Sequence, residues 1–241
     1  MNAHTIELYA SAAVVFAAGK ELLVVLAPTL PDRRSPVQVL GAAWARRPRV
    51  TAAVLVATAV MVVLQYAVAG LAGDLVRRPG ALGDGQEWRM FTALFIQSSG
   101  AVQIVVNLSA LLGAGAVAEW VLGPRRWLLV YFASGLVANY VSLEGWGRHG
   151  GGCSVAICGL VGALAAITLL RGAEPGDTAQ RLRLLSLAVP ATGLFLCLLH
   201  NNHGAGLLTG FVLGAVIAVT ARPGALRLGL GKAPVAEEAA A

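Results

Sequence analysis

The chain alternates long apolar runs with short polar punctuation. Runs at 50–73, 102–122, 126–143, 153–170, 182–199 and 203–221 come close to the ~20 mostly apolar residues that cross a bilayer as a helix. They predict six spanning helices. An earlier run, 6–30, is long enough as well but sets Lys20 and Glu21 together near its middle. A central charge costs roughly 3 kcal/mol on insertion scales, so this segment either crosses or lies along the interface. No basic region or small-residue cleavage site marks it as a removable signal. The expected fold is all-α: a polytopic membrane protein with a six-helix bundle and an additional N-terminal apolar helix. Residues 1–49 hold that helix and a basic loop, 50–222 the transmembrane domain, and 223–241, ending "APVAEEAAA", a disordered cytoplasmic tail.

Composition agrees, with 57% hydrophobic and only 12% charged residues against about a quarter charged in soluble domains. A net charge of +6 on such a chain points to cytoplasmic loops rather than nucleic acid. Arg33, Arg34, Arg46, Arg47 and Arg49 stand before the second apolar run against a single Asp32, and Arg125 with Arg126, the 171–183 loop, and Arg222, Arg227 and Lys232 follow on the same side. The balanced loop 74–89, loop 144–152 and the turn near Asn201 fall on the other side. The expected arrangement is multi-pass, in the plasma membrane, with a cytoplasmic C-terminus and the bilayer itself as partner. Cys153, Cys158 and Cys197 all lie in apolar runs without a CxxC pair, which predicts no disulfide framework, no metal and no cofactor.

This orientation gives one stretch its chemical interest. "HGGGCSVAICGLVGAL", from His149 to Leu164, turns from glycine loop to membrane helix at Ser154, and His203 opens another span on the same outer face. A serine hydroxyl is a poor nucleophile until a base takes its proton, and histidine is the usual base. A helix start also offers unpaired backbone N–H groups suited to an oxyanion. The alternative for each residue is plain: serines in membrane helices bond their own backbone, and a histidine at a helix start faces interfacial water. Gly206, Gly210 and Gly214 recur every four residues after His203, and Gly159 and Gly162 line a face after Ser154. Small residues at this spacing let membrane helices approach closely.

Four short segments, in order, resemble the rhomboid family of intramembrane serine proteases. "EWR" at Glu87 to Arg89 is similar to the Trp-Arg signature of its first outer loop. "QIVVN" at Gln103 to Asn107 is similar to the His-x-x-x-Asn of its second helix. "GCS" at Gly152 to Ser154 resembles the Gly-x-Ser-Gly around its nucleophile. "HGAGLLTG" at His203 to Gly210 resembles its sixth-helix histidine with the glycines that follow. The resemblance implies a Ser154–His203 dyad in a water-filled cavity, cleaving transmembrane protein substrates near their outer ends. It implies an oxyanion site from Asn107, Gln103 and the backbone N–H groups of Cys153 and Ser154. It also implies that Trp88 and Arg89 anchor the first loop at the interface.

Three positions depart from the family pattern. Gln103 replaces an oxyanion histidine, Val155 replaces the glycine after the nucleophile, and Cys158 replaces an aromatic residue that would stack on the histidine. The departures leave a second expectation standing: a catalytically inactive rhomboid-like protein that binds client membrane helices. A transporter or channel is disfavoured, because ionisable residues in the six spans sit near their ends, as Glu119 does.

Overall fold

The computed structural model describes residues 19, 36–146, 149–172, 177–222 and 224–227. The run at 6–30, apart from Gly19, and the tail beyond 227 lie outside the described residues. The described chain is helical: α1 Pro36–Ala45, α2 Arg49–Ala67, α3 Leu71–Leu75, α4 Arg89–Thr92, α5 Ala101–Leu122, α6 Pro124–Trp146, α7 Ser154–Arg171, α8 Asp177–Leu198 and α9 Asn202–Thr220. Among these, α2, α5, α6, α7 and α9 are long and apolar enough to cross a membrane, and α8 carries a shorter apolar stretch, Leu182–Leu198. The expected second run ends early. After Ala67 the chain turns extended at Val68, and Gly70 then adopts φ 84°, so the helix stops before residue 73.

The helix α7 is the hub of the bundle. Its apolar stretch is 72% buried, whereas that of α2 is 17% buried. The outer helices turn valines outward: Val56, Val60 and Val63 on α2, Val102, Val105 and Val106 on α5, Val212, Val216 and Val219 on α9. Exposed apolar surface on this scale suits hydrocarbon rather than water.

Against α7 lies α9, at very short range. A Cβ at Gly210 would collide with the carbonyl of Gly159, one at Gly206 with the carbonyl of Val155, and one at Gly214 would stand 2.5 Å from Ala163 Cα. On the other side, a Cβ at Gly162 would collide with the Leu207 carbonyl, and one at Gly159 with Ser134 of α6. The five glycines therefore mark a three-helix contact: backbone meets backbone between α7 and α9, and the α7 backbone meets the Ser134 side chain of α6.

A π-helical turn, Leu111–Gly115, interrupts α5. Such a turn frees carbonyls from the regular ladder, and two indoles take them up. Trp44 Nε1 donates to Leu112 O at 3.0 Å and Trp127 Nε1 to Gly115 O at 2.9 Å. At the same end of the bundle the Glu119 carboxylate accepts from the N–H groups of Val50 (3.1 Å) and Thr51 (2.7 Å). It thereby caps α2 from a helix 68 residues away, an arrangement favoured by the positive end of the helix dipole. Trp120 beside it carries the guanidinium groups of Arg46 and Arg227 over its ring at 4.8 and 4.9 Å.

Candidate active site

The segment between α2 and α5 folds over the opposite end and holds the glycine loop in place. Arg89 ties the segment together: it donates to Val76 O (2.7 Å), Gly73 O (3.2 Å) and Gln86 Oε1 (2.6 Å), with its guanidinium over the Trp88 ring. Arg89 is buried while Trp88 is exposed. Thr92 Oγ1 adds a bond to Leu75 O.

From this segment Arg77 reaches the loop before α7. Its backbone pairs with Gly150 in both directions, and its Nε donates to Gly150 O at 3.2 Å. Its Nη1 donates to Asn139 Oδ1 (2.7 Å) and Ser142 Oγ (2.8 Å) on α6. Burial pulls the guanidinium down to about 10, so it stays cationic at neutral pH. Asn139 Nδ2 closes the circuit on Met90 O at 2.6 Å. Gly150, at φ 133°, has a backbone that side chains rarely adopt. Gly151 N donates to Ser98 Oγ, and Gly152 N to Ala93 O. A Cβ at Gly152 would sit 2.5 Å from Gln103 Nε2, so a side chain there would push the Gln103 amide from its place on Gly151 O.

This loop delivers Ser154 as the first residue of α7. Cys153, buried, precedes it as the cap, and no side chain caps the helix start. The N–H groups at the very start of α7 are therefore left without ladder partners, while Ala156 N and Ile157 N both donate to Cys153 O, at 3.1 and 3.0 Å. His203 enters one residue inside α9, at the same end of the bundle. Its Nε2 lies 2.8 Å from Ser154 Oγ. Both side chains are half-buried. The Asn201 side chain accepts from His203 N at 3.0 Å, capping α9, and its Oδ1 lies 2.8 Å from His203 Nδ1.

A chain of amides lies beside the pair. Asn107, buried on α5, donates from Nδ2 to Gln97 Oε1 at 2.6 Å. Gln97 Nε2 points to Cys153 Sγ at 3.7 Å. The Gln97 backbone is clamped by Gln65 of α2 through two reciprocal 3.0 Å bonds. Gln103 is engaged at both ends of its amide: Nε2 donates to Gly151 O (3.0 Å) and Oε1 accepts from Ser99 N (2.7 Å). Asn107, Gln103 and Cys153 thus border one loop with Ser154 and His203, whereas Trp88 and Arg89 belong to the overlying segment. Among the described residues no group of three or more His, Cys, Asp or Glu side chains is arranged to hold a metal ion.

Gln65, Arg77, Gln97, Asn139 and Asn201 escaped the sequence reading. Only Asn201 left a local signal there, a cap-forming residue just ahead of an apolar run.

The model of the Rhomboid domain matches residues 84–223, from the overlying segment through α9. The chain belongs to the rhomboid family. It is 26% identical over 140 residues to Rhomboid-like protease 3 of Toxoplasma gondii, a match covering 57% of this chain and 52% of that protein. It is 31% identical over 88 residues to Rhomboid protease GluP of Bacillus subtilis, covering 36% of this chain and 17% of that one. The chain therefore spans about half of the first relative and a smaller part of the second. With its apolar helices, this rhomboid chain is an integral, multi-pass membrane protein.

Proposed function

We propose that this rhomboid is an intramembrane serine endopeptidase that cleaves transmembrane protein substrates near the outer face of the plasma membrane. One observation carries the reading: Ser154 Oγ stands 2.8 Å from His203 Nε2, half-buried at the end of two apolar helices. In the reaction Nε2 takes the hydroxyl proton as Oγ bonds to the scissile carbonyl carbon. The oxyanion is met by the N–H groups of Cys153 and Ser154 and by the second N–H of Asn107, whose first is held by Gln97. His203 then gives its proton to the departing amine, and the C–N bond breaks. Water, activated by the same nitrogen, hydrolyses the ester. No cofactor enters these steps.

Gln103 favours a second reading. Its Oε1 and one N–H are engaged by Ser99 N and Gly151 O, so its placement is set by the loop, and only its second N–H is left for an oxyanion. On that reading the protein keeps the scaffold, lacks turnover and binds client helices.

A fluorophosphonate probe on the full chain in detergent separates the two. The protease reading expects labelling of the natural protein and none in Ser154→Ala or His203→Ala. An unlabelled natural protein with natural thermal stability would remove the protease reading and leave client binding.

A further inference from the structure

We infer that Asn201 is a positioning residue that locks His203 in the tautomer able to deprotonate Ser154. The inference rests on the dyad reading above, but its structural basis is separate. Amide oxygen and nitrogen are ordinarily hard to tell apart. Here the assignment is forced by chemistry. One Asn201 side-chain atom lies 3.0 Å from the backbone N of His203, a group that only donates. That atom must be the oxygen. The same oxygen lies 2.8 Å from His203 Nδ1. A carbonyl oxygen accepts and cannot donate, so this second contact is a hydrogen bond only with the proton on Nδ1. A neutral imidazole carries one proton. Nε2 is then left with its lone pair, and it faces Ser154 Oγ at 2.8 Å.

The direction of the whole relay follows: Ser154 O–H donates to Nε2, and Nδ1–H donates to Asn201. When His203 takes the serine proton it becomes a donor at both nitrogens, and the Asn201 oxygen continues to accept. The same carbonyl that starts α9 as a cap therefore also orients the ring, and the base is fixed by a residue two positions away in its own chain. Ser-His-Asp and Cys-His-Asn triads use a third member in this way. Here the third member is delivered by the helix cap itself.

Substitutions at Asn201 separate the cap from the tautomer lock. Asn201→Ser keeps a capping hydroxyl but is too short to bridge to Nδ1. Asn201→Asp keeps an acceptor for both groups. The full chain is assayed for thermal unfolding, for the rate of fluorophosphonate labelling at Ser154, and by ¹⁵N imidazole signals assigned against His203→Gln. The expected result is a melting temperature close to natural for Asn201→Ser, with labelling slowed ~10-fold or more, and labelling within a few-fold of natural for Asn201→Asp. The natural protein shows neutral His203 protonated on Nδ1, and Asn201→Ser shows a mixture of tautomers. Labelling of Asn201→Ser at the natural rate, or neutral His203 protonated on Nε2 in the natural protein, overturns the inference. If the natural protein is never labelled, the dyad reading fails on its own, and the tautomer measurement alone decides the role of Asn201.

Discussion

Gln103 carries two hydrogen bonds at once, and they change what its substitution should do. As an oxyanion donor alone, it would be felt only in turnover. As a brace between Ser99 N and Gly151 O, it is felt in stability too: Ser99 N loses its acceptor, while Gly151 O keeps the Ser98 hydroxyl at 3.1 Å. Gln103→Ala is expected to lower stability by about 1 kcal/mol and turnover by ~10-fold or more, read by thermal unfolding and by cleavage of a fluorogenic transmembrane peptide. Loss of turnover at a natural melting temperature would return Gln103 to a purely oxyanion role; natural values of both would take it out of the site. The sequence made Ser154, His203, Asn107 and Gln103 legible because each sits in a short local pattern. It gave no warning of the residues that hold them. Gln65 and Gln97 are 32 residues apart, Arg77 and Asn139 62 apart, and no periodicity relates a side chain on one helix to a carbonyl on another. Cys158 is instructive in the same way. The resemblance marks it as a lost ring platform, while the contact that orients His203 comes from Asn201 at its edge.

At the scale of the element, the apolar runs announced the helices but not their faces. In a soluble helix the polar side shows which face is buried. In a bilayer both faces are apolar, so Val56 on the lipid side and Val54 in the core of α2 look alike in sequence. Only the small residues break that symmetry, since a backbone contact excludes a Cβ. The π turn of α5 and the early end of α2 were equally silent: the first depends on Trp44 and Trp127 reaching its carbonyls, the second on a glycine conformation. The glycine contact makes a sharp test. Gly210→Ala places a methyl on the Gly159 carbonyl, whereas Gly41→Ala on α1 meets nothing within 4 Å. Gly210→Ala should destabilise by roughly 1–3 kcal/mol, and Gly41→Ala should be neutral or stabilising by up to ~1 kcal/mol, since alanine is the better helix former. Equal melting temperatures for the two variants in detergent would mean that α7 and α9 do not meet along this line.

The whole molecule is polarised along its helix axes. One end gathers Arg46, Arg47, Arg49, Arg125, Arg126 and Arg227 around a cavity of ≈ 720 Å³ with Glu119, whose carboxylate is spent on the start of α2. The other end carries Ser154, His203 and the overlying segment, whose charges are nearly balanced. There Arg78 pairs with Asp84 at 3.2 Å, and the buried Arg77 and Arg89 are spent on carbonyl, amide and hydroxyl partners. Because arginines in short loops resist translocation, the arginine-lined end should stay in the cytoplasm, which sets the dyad at the outer face. Exposed positions at the two ends can report this directly. With Cys153, Cys158 and Cys197 replaced by alanine, Asp84→Cys should react with a membrane-impermeant maleimide added to intact cells. Arg125→Cys, at the far end, should react only after permeabilisation. The reverse pattern would place Ser154 and His203 on the cytoplasmic side. Substrates would then have to present their cytoplasmic ends, and a protease acting at the outer face would no longer describe this chain.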